Sequence, residues 1–264
     1  MKNGSVVIDD TEMYYASFGK GKKVLAAIPG LSDGMATVKG KALFLSAPYR
    51  RFIKEYTVYI FSRKNKMPEG YSIEDMAADQ IRALKSLGIE KAAVLGVSQG
   101  GMIAQCMASG YPHMVEKLIL AVTAPYAGDA AAKAVSSWID MVEKGEYARL
   151  MTDTAEKTYS KGYLKKNRVM LKLSARLIKP ADKERFLINA KAILRYDGRG
   201  KLKDITCPTL ILAGDEDKTV GTAAHHELKK LIPHSEMHIY RGLGHGAYEE
   251  AKDFYDRVYE FCEK

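Results

Sequence analysis

Along this chain, short apolar runs alternate with longer segments of helical period, and that alternation admits few architectures beyond a mostly parallel sheet with helices packed on it. Val6 to Asp9 and Met13 to Phe18 read as an opening hairpin, and Lys23 to Ile28 as the first central strand, closed by Pro29-Gly30. A helix is expected around Ala47 to Glu55 and a strand at Thr57 to Phe61. Ser72-Ile73-Glu74-Asp75 offers an N-cap serine with an acid at the third helical position. Behind it Ile73, Met76, Ala77, Ile81, Leu84 and Leu87 make one apolar stripe that Gly88 ends. Lys91 to Leu95, Lys117 to Val122, Thr209 to Ala213 and Glu236 to Tyr240 supply the remaining strands. A C-terminal helix is expected from about Tyr248 to Cys262.

With 264 residues and 47 % hydrophobic, the chain can bury one sizeable core, so a single interrupted domain is expected. About eighty residues without a strand signal separate Val122 from Thr209, far more than an ordinary crossover needs. Val135, Trp138, Ile139 and Val142, then Val169, Met170, Leu173 and Leu177, then Phe186, Leu187, Ala190 and Leu194 recur at helical spacing, with Pro180 and Gly198 as breaks. The expected division is a core of residues 1–124 and 201–264 with a helical cap inserted over 125–200. That segment holds 16 Lys and Arg against 9 Asp and Glu, so +7 of the chain's +9 sits there.

Composition excludes several classes. No run of Lys and Arg is interleaved with aromatics and no nucleic-acid motif appears, so the charge reads as a solvated face and not as a nucleic-acid surface. The start lacks a basic head joined to an apolar stretch, and no apolar run approaches membrane length, which predicts a soluble, cytoplasmic protein with no membrane partner. Cys106, Cys207 and Cys262 are odd in number and scattered, fitting neither a disulfide framework nor a CxxC site. The adjacent His225-His226 cannot chelate one ion from neighbouring helix positions, and no HExxH accompanies them, so no metal and no cofactor is expected. Monomer and homodimer stay open.

One junction asks for chemistry. In "KAAVLGVSQGGMIAQ", Ser98 stands between Gly96 and Gly100 where a buried strand meets a helix. A serine hydroxyl is a weak nucleophile. A sharp strand-to-helix turn presents it clear of the backbone, and glycine flanks it because side chains there would collide with the neighbouring strand and helix. Such a serine needs an acid and then a histidine further along the chain. "PTLILAGDEDKTV" offers Asp215 and Asp217 just past a strand. Asp217 is favoured because Asp215 directly follows Gly214 and caps the turn. "YRGLGHGAYEE" places His245 on a glycine-flanked loop, whereas His113, His225, His226, His234 and His238 occupy ordinary turn, helix or strand positions. The backbone N–H groups of Gln99, at a helix N-terminus, and of Leu31, after the first central strand, are the expected donors to an oxyanion.

Taken together, Gly96-Val97-Ser98-Gln99-Gly100-Gly101, Gly214-Asp215-Glu216-Asp217, Gly244-His245-Gly246 and Pro29-Gly30-Leu31 resemble the nucleophile elbow, acid turn, base loop and oxyanion loop of the α/β-hydrolase superfamily. The resemblance covers nearly the whole chain. It implies an eight-stranded, mostly parallel sheet, a lid inserted after the sixth strand, and hydrolysis through an acyl-enzyme. Two positions depart from the common pattern: Pro29 where many members have His, and Gln99 where many have Met. Neither removes a backbone donor. In the implied reaction His245, oriented by Asp217, takes the Ser98 proton as the hydroxyl attacks a carbonyl carbon. Trp138, Met141 and Met170 are candidates to line the pocket, or else to hold the lid's helices together. The expected small-molecule substrate is a carboxylic ester, lactone or thioester. The same residues also suit a C–C bond hydrolase, an acyltransferase or a ligand-sensing receptor.

Overall fold

The computed structural model describes residues 1–177, 180, 182–232 and 234–264. Eight strands form one sheet: β1 (Lys2–Ile8), β2 (Thr11–Gly19), β3 (Lys23–Ile28), β4 (Tyr56–Lys64), β5 (Ala92–Val97), β6 (Val115–Ala121), β7 (Thr209–Gly214) and β8 (Ser235–Tyr240), in spatial order β1-β2-β4-β3-β5-β6-β7-β8. β2 pairs antiparallel with β1 and β4, and every other pairing is parallel. The helices are α1 (Ser32–Met35), α2 (Ala42–Ser46), α3 (Ile73–Ser86), α4 (Gln99–Gly110), α5 (Asp129–Glu143), α6 (Tyr147–Thr158), α7 (Lys161–Leu177), α8 (Lys183–Arg195), α9 (Thr222–Leu231), α10 (Ala247–Glu250) and α11 (Phe254–Glu263).

Why β5 is apolar throughout follows from where its side chains go. Along β5, Ala92 and Val94 pack with the core under α3, α4 and α9, whereas Ala93 and Leu95 point to the other face, against Phe254 and Val258 of α11. Burial on both faces removes the polar alternation of a half-exposed sheet. α3 begins where its capping box predicts: Ser72 Oγ accepts the Asp75 N–H at 3.0 Å, and the Asp75 carboxylate accepts the Ser72 N–H at 2.9 Å.

Two helix expectations need correction. The helix placed at Ala47 to Glu55 lies earlier, as α2, and passes into a 3₁₀ turn over Ala47–Tyr49 before irregular turns. Pro48 explains the shift, since a proline lacks the N–H that would continue the α-helical ladder from Ala42. The single C-terminal helix is two pieces, α10 and α11, separated at Ala251, whose backbone is extended with ψ 119°. Among the described residues, no helix is long and apolar enough to cross a membrane.

Between β6 and β7 lie α5 to α8, and the two ends of this excursion meet. The Gly198 N–H donates to Pro125 O at 2.8 Å, and Tyr126 and Asp197 form an isolated antiparallel bridge. Of the apolar stripe read from Val169, Met170, Leu173 and Leu177, the first three are helical but face outward, at 82 %, 55 % and 60 % exposure, and the Leu177 side chain lies outside the described residues. α7 packs on α6 through a different stripe that buries Ala175 and half-buries Leu164. Spacing alone could not tell the two stripes apart.

Candidate active site

Sequence forces the turn at the end of β5. A Cβ on Gly100 would lie 2.0 Å from Ile28 O of β3, and one on Gly96 would lie 2.4 Å from Gly100 O, so neither position has room for a side chain. Between them Ser98 adopts φ 55° and ψ −118°, held by its N–H donating to Ala121 O at 2.9 Å. A non-glycine residue in that region costs about 1–3 kcal/mol, which the surrounding strands must over-determine.

Far-apart loops then converge on this serine. His245 Nε2 lies 2.9 Å from Ser98 Oγ, and His245 Nδ1 lies 2.8 Å from Asp217 Oδ2. The other carboxylate oxygen of Asp217 accepts the Thr219 and Val220 N–H groups at 2.8 and 3.0 Å, which fixes its rotation. Asp215 does something else: its Oδ1 accepts the Gly242 N–H at 2.7 Å, pinning the turn after β7 to the loop that carries His245. Burial alone would raise the Asp217 carboxyl, but the His245 charge and the imidazoles of His225 and His245 outweigh it and hold the group far below the ordinary carboxylate range.

That depression has a measurable consequence. A carboxyl whose folded value lies below its unfolded one stabilises the fold fully above about pH 4, and loses that contribution as acid protonates the unfolded chain's carboxyls. Asp217→Asn is therefore expected to lower the urea midpoint more at neutral pH than at about pH 3. Equal losses at both would contradict the assignment.

Over the serine passes the segment from Gly30 to α1. A Cβ on Gly30 would sit 3.2 Å from Ser98 Cβ, so this turn runs directly against the nucleophile candidate. Leu31 and Gln99 both line the cavity that Ser98 faces. Beneath them lies a charged cluster that the sequence reading missed. The Gln99 side chain accepts from Arg63 Nη2 at 2.9 Å and donates to Asn189 O of α8 at 2.7 Å. Asp33 Oδ2 accepts the Arg63 N–H at 2.9 Å and Arg185 Nη2 at 2.6 Å. Arg185, on α8, also donates to Asp33 O, Arg63 O and Lys64 O. Burial pushes the Arg63 guanidinium down to about 10, against the pull of Asp33, so it remains a cation at neutral pH. The signal was present in Ser62-Arg63-Lys64, polar residues in what reads as a buried strand. A glutamine at position 99 was a second one, since a buried amide needs partners.

A cavity of about 160 Å³ opens on Ser98 and His245. Trp138 lines it, with Leu150 and Phe186, and the Trp138 indole N–H donates to Asp153 at 2.7 Å. The other two pocket candidates do not reach it. Met141 is buried among the helices away from the cavity, and Met170 stands on the outward face of α7; Met35, Met102 and Met151 line the cavity instead. Helical phase made all of these methionines look alike. Among the described residues, no Lys, Arg, Asp or Glu lines the cavity.

His225, read as an ordinary helix residue, is fully buried beside the site. Its Nδ1 lies 3.1 Å from Thr123 O and its Nε2 3.4 Å from Asp217 Oδ2. Among the described residues, no group of His, Cys, Asp and Glu could hold a metal ion.

The model of the alpha/beta hydrolase fold family matches residues 59–252. The chain belongs to this family. Among its relatives, this α/β hydrolase is 22 % identical over 236 residues to 3-oxoadipate enol-lactonase 2 of Acinetobacter baylyi, covering 89 % of this chain and 87 % of that one. It is 25 % identical over 267 residues to 2-hydroxy-6-oxononadienedioate/2-hydroxy-6-oxononatrienedioate hydrolase 2 of Pseudomonas putida, covering 96 % and 92 %. The crystal structure of the enol-lactonase from Burkholderia xenovorans LB400 superposes with a TM-score of 0.86 at 20 % identity, covering 99 % of this α/β hydrolase and 100 % of that chain. The relatives are named as hydrolases, and this chain is a hydrolase of the same fold.

Proposed function

We propose that this protein is a serine hydrolase that cleaves small, uncharged carboxylic esters, lactones or thioesters through an acyl-enzyme on Ser98. The observation that carries the reading is the line of hydrogen-bonding contacts from Asp217 through His245 to Ser98 Oγ. His245 Nε2 takes the hydroxyl proton as Oγ bonds to the carbonyl carbon, and Asp217 keeps Nδ1 protonated and the ring oriented. The Leu31 and Gln99 N–H groups receive the developing oxyanion, Gln99 from a helix N-terminus. Collapse expels the leaving group with the proton from His245, and water repeats the attack to release the acid. In this reading α5, α6 and α8 act as a cap over the cavity, and the protein works on a small molecule in the cytoplasm without metal or cofactor.

Size and polarity narrow the substrate. About 160 Å³ is the room that takes a single benzene ring. A charged acyl group would lose its hydration and find no lysine or arginine among the described residues of the cavity wall. The wall therefore favours a neutral ester or lactone over a dicarboxylate of the kind in the Pseudomonas relative's name. Short-chain p-nitrophenyl esters are expected to exceed carboxylate-bearing analogues by about tenfold or more in kcat/KM, the cost of burying an unpaired charge. The deciding experiment is reaction with a fluorophosphonate probe, followed by peptide mapping, beside a screen of p-nitrophenyl esters and lactones. An adduct on Ser98 is expected; labelling elsewhere, or none, overturns the reading.

A further inference from the structure

We propose that His225 is a positioning residue for Asp217, a second imidazole that stands against the same carboxylate oxygen as His245 and keeps the carboxylate from turning. The inference rests on the reading of Ser98, His245 and Asp217 above. It starts from what the two nitrogens of a fully buried ring face. Nδ1 is 3.1 Å from Thr123 O, a carbonyl that can only accept, so Nδ1 carries a proton. Nε2 is 3.4 Å from Asp217 Oδ2, another acceptor. Among the described residues Nε2 makes no hydrogen bond, so the ring hangs from Thr123 O and stands against the carboxylate at short range, where it helps hold Asp217 in its charged form.

The placement closes a circuit. Thr123 Oγ1 donates to Ser98 O at 2.7 Å, Thr123 O takes His225, His225 faces Asp217, Asp217 holds His245, and His245 returns to Ser98 Oγ. Thr123 is aimed by a strained neighbour: Val122, β-branched and buried, has φ 45°. Such an outlier persists only where the surroundings impose it. His225 thus ties the acid turn to the elbow, so the two ends of the proton path cannot drift independently.

The test uses the full-length protein and p-nitrophenyl acetate. His225→Leu, which removes the hold on Thr123 O, is expected to lower kcat by about 10- to 100-fold with little change in KM, the scale of a small misplacement. His225→Gln, which can still donate to that carbonyl, is expected to recover most of the loss. Wild-type kcat in a folded His225→Leu protein, or a loss confined to KM, overturns the proposal. Should His225→Leu fail to fold, His225→Asn, which is too short to span Thr123 O and Asp217, decides by the same split of kcat against KM. Fluorophosphonate labelling of the wild type at Ser98 separates failure of this inference from failure of the Ser98 reading.

Discussion

Ser98→Ala is expected to lower kcat for an activated ester by about a millionfold, leaving only what cavity and amide donors supply unaided. The size follows from the geometry. In the proposed reaction, removing Oγ removes the atom that His245 Nε2 activates at 2.9 Å, so water must attack without a covalent stage. Groups that act as one unit fail as one unit. His245→Ala is therefore expected to cost about as much, and the double variant hardly more than either single one. Asp217→Asn, which frees the imidazole to take the wrong tautomer, is expected to cost about ten-thousandfold. Steady-state hydrolysis of p-nitrophenyl acetate, with each variant's thermal melt beside it, reads all four. Ser98→Ala retaining a tenth of the activity would mean that another nucleophile does the chemistry.

Asp33→Ala is expected to destabilise the fold by about 3–5 kcal/mol, the cost of stranding buried charge when its partner is removed. Asp33 is the shared carboxylate for two guanidinium groups, with Arg185 Nη2 at 2.6 Å and Arg63 Nη1 at 3.7 Å. Both arginine side chains are almost wholly buried. Without the carboxylate, two cations share a dry interior with no counter-charge. Asp33→Asn keeps an acceptor and should lose less, and adding Arg185→Met to Asp33→Ala should recover part of the loss by removing one cation. Urea unfolding followed by circular dichroism measures each. An unchanged midpoint for Asp33→Ala would show that the cluster contributes nothing net.

These two sites mark what could and could not be read from the chain. The elbow was legible because its requirements are local: a buried strand, glycines where a Cβ would strike Ile28 O or Gly100 O, and a helix after. The capping box at Ser72 was legible for the same reason. Asp217 and His245 were legible because chain order and position after a strand narrow the choice to a few residues. Met170 was misplaced because periodicity says that a stripe exists, not which of two stripes meets a neighbour. His225 and Arg185 stayed invisible because their meaning lies in partners from elsewhere, Thr123 and Asp217 for one and Asp33 with the end of β4 for the other. A single sequence carries no record of such long-range meetings.

Arg185 and the turn after α6 have one more consequence. α8 is riveted through Arg185 to the turn beside Leu31, while Thr158 O at the end of α6 receives the Gly246 N–H at 2.6 Å, one residue from the imidazole. Lifting either half of the helical excursion off the sheet therefore disturbs a different part of the reacting centre. Under the proposed reaction, admission and readiness would exclude each other: a molecule parted wide enough to let a guest in would be, for that moment, an idle one.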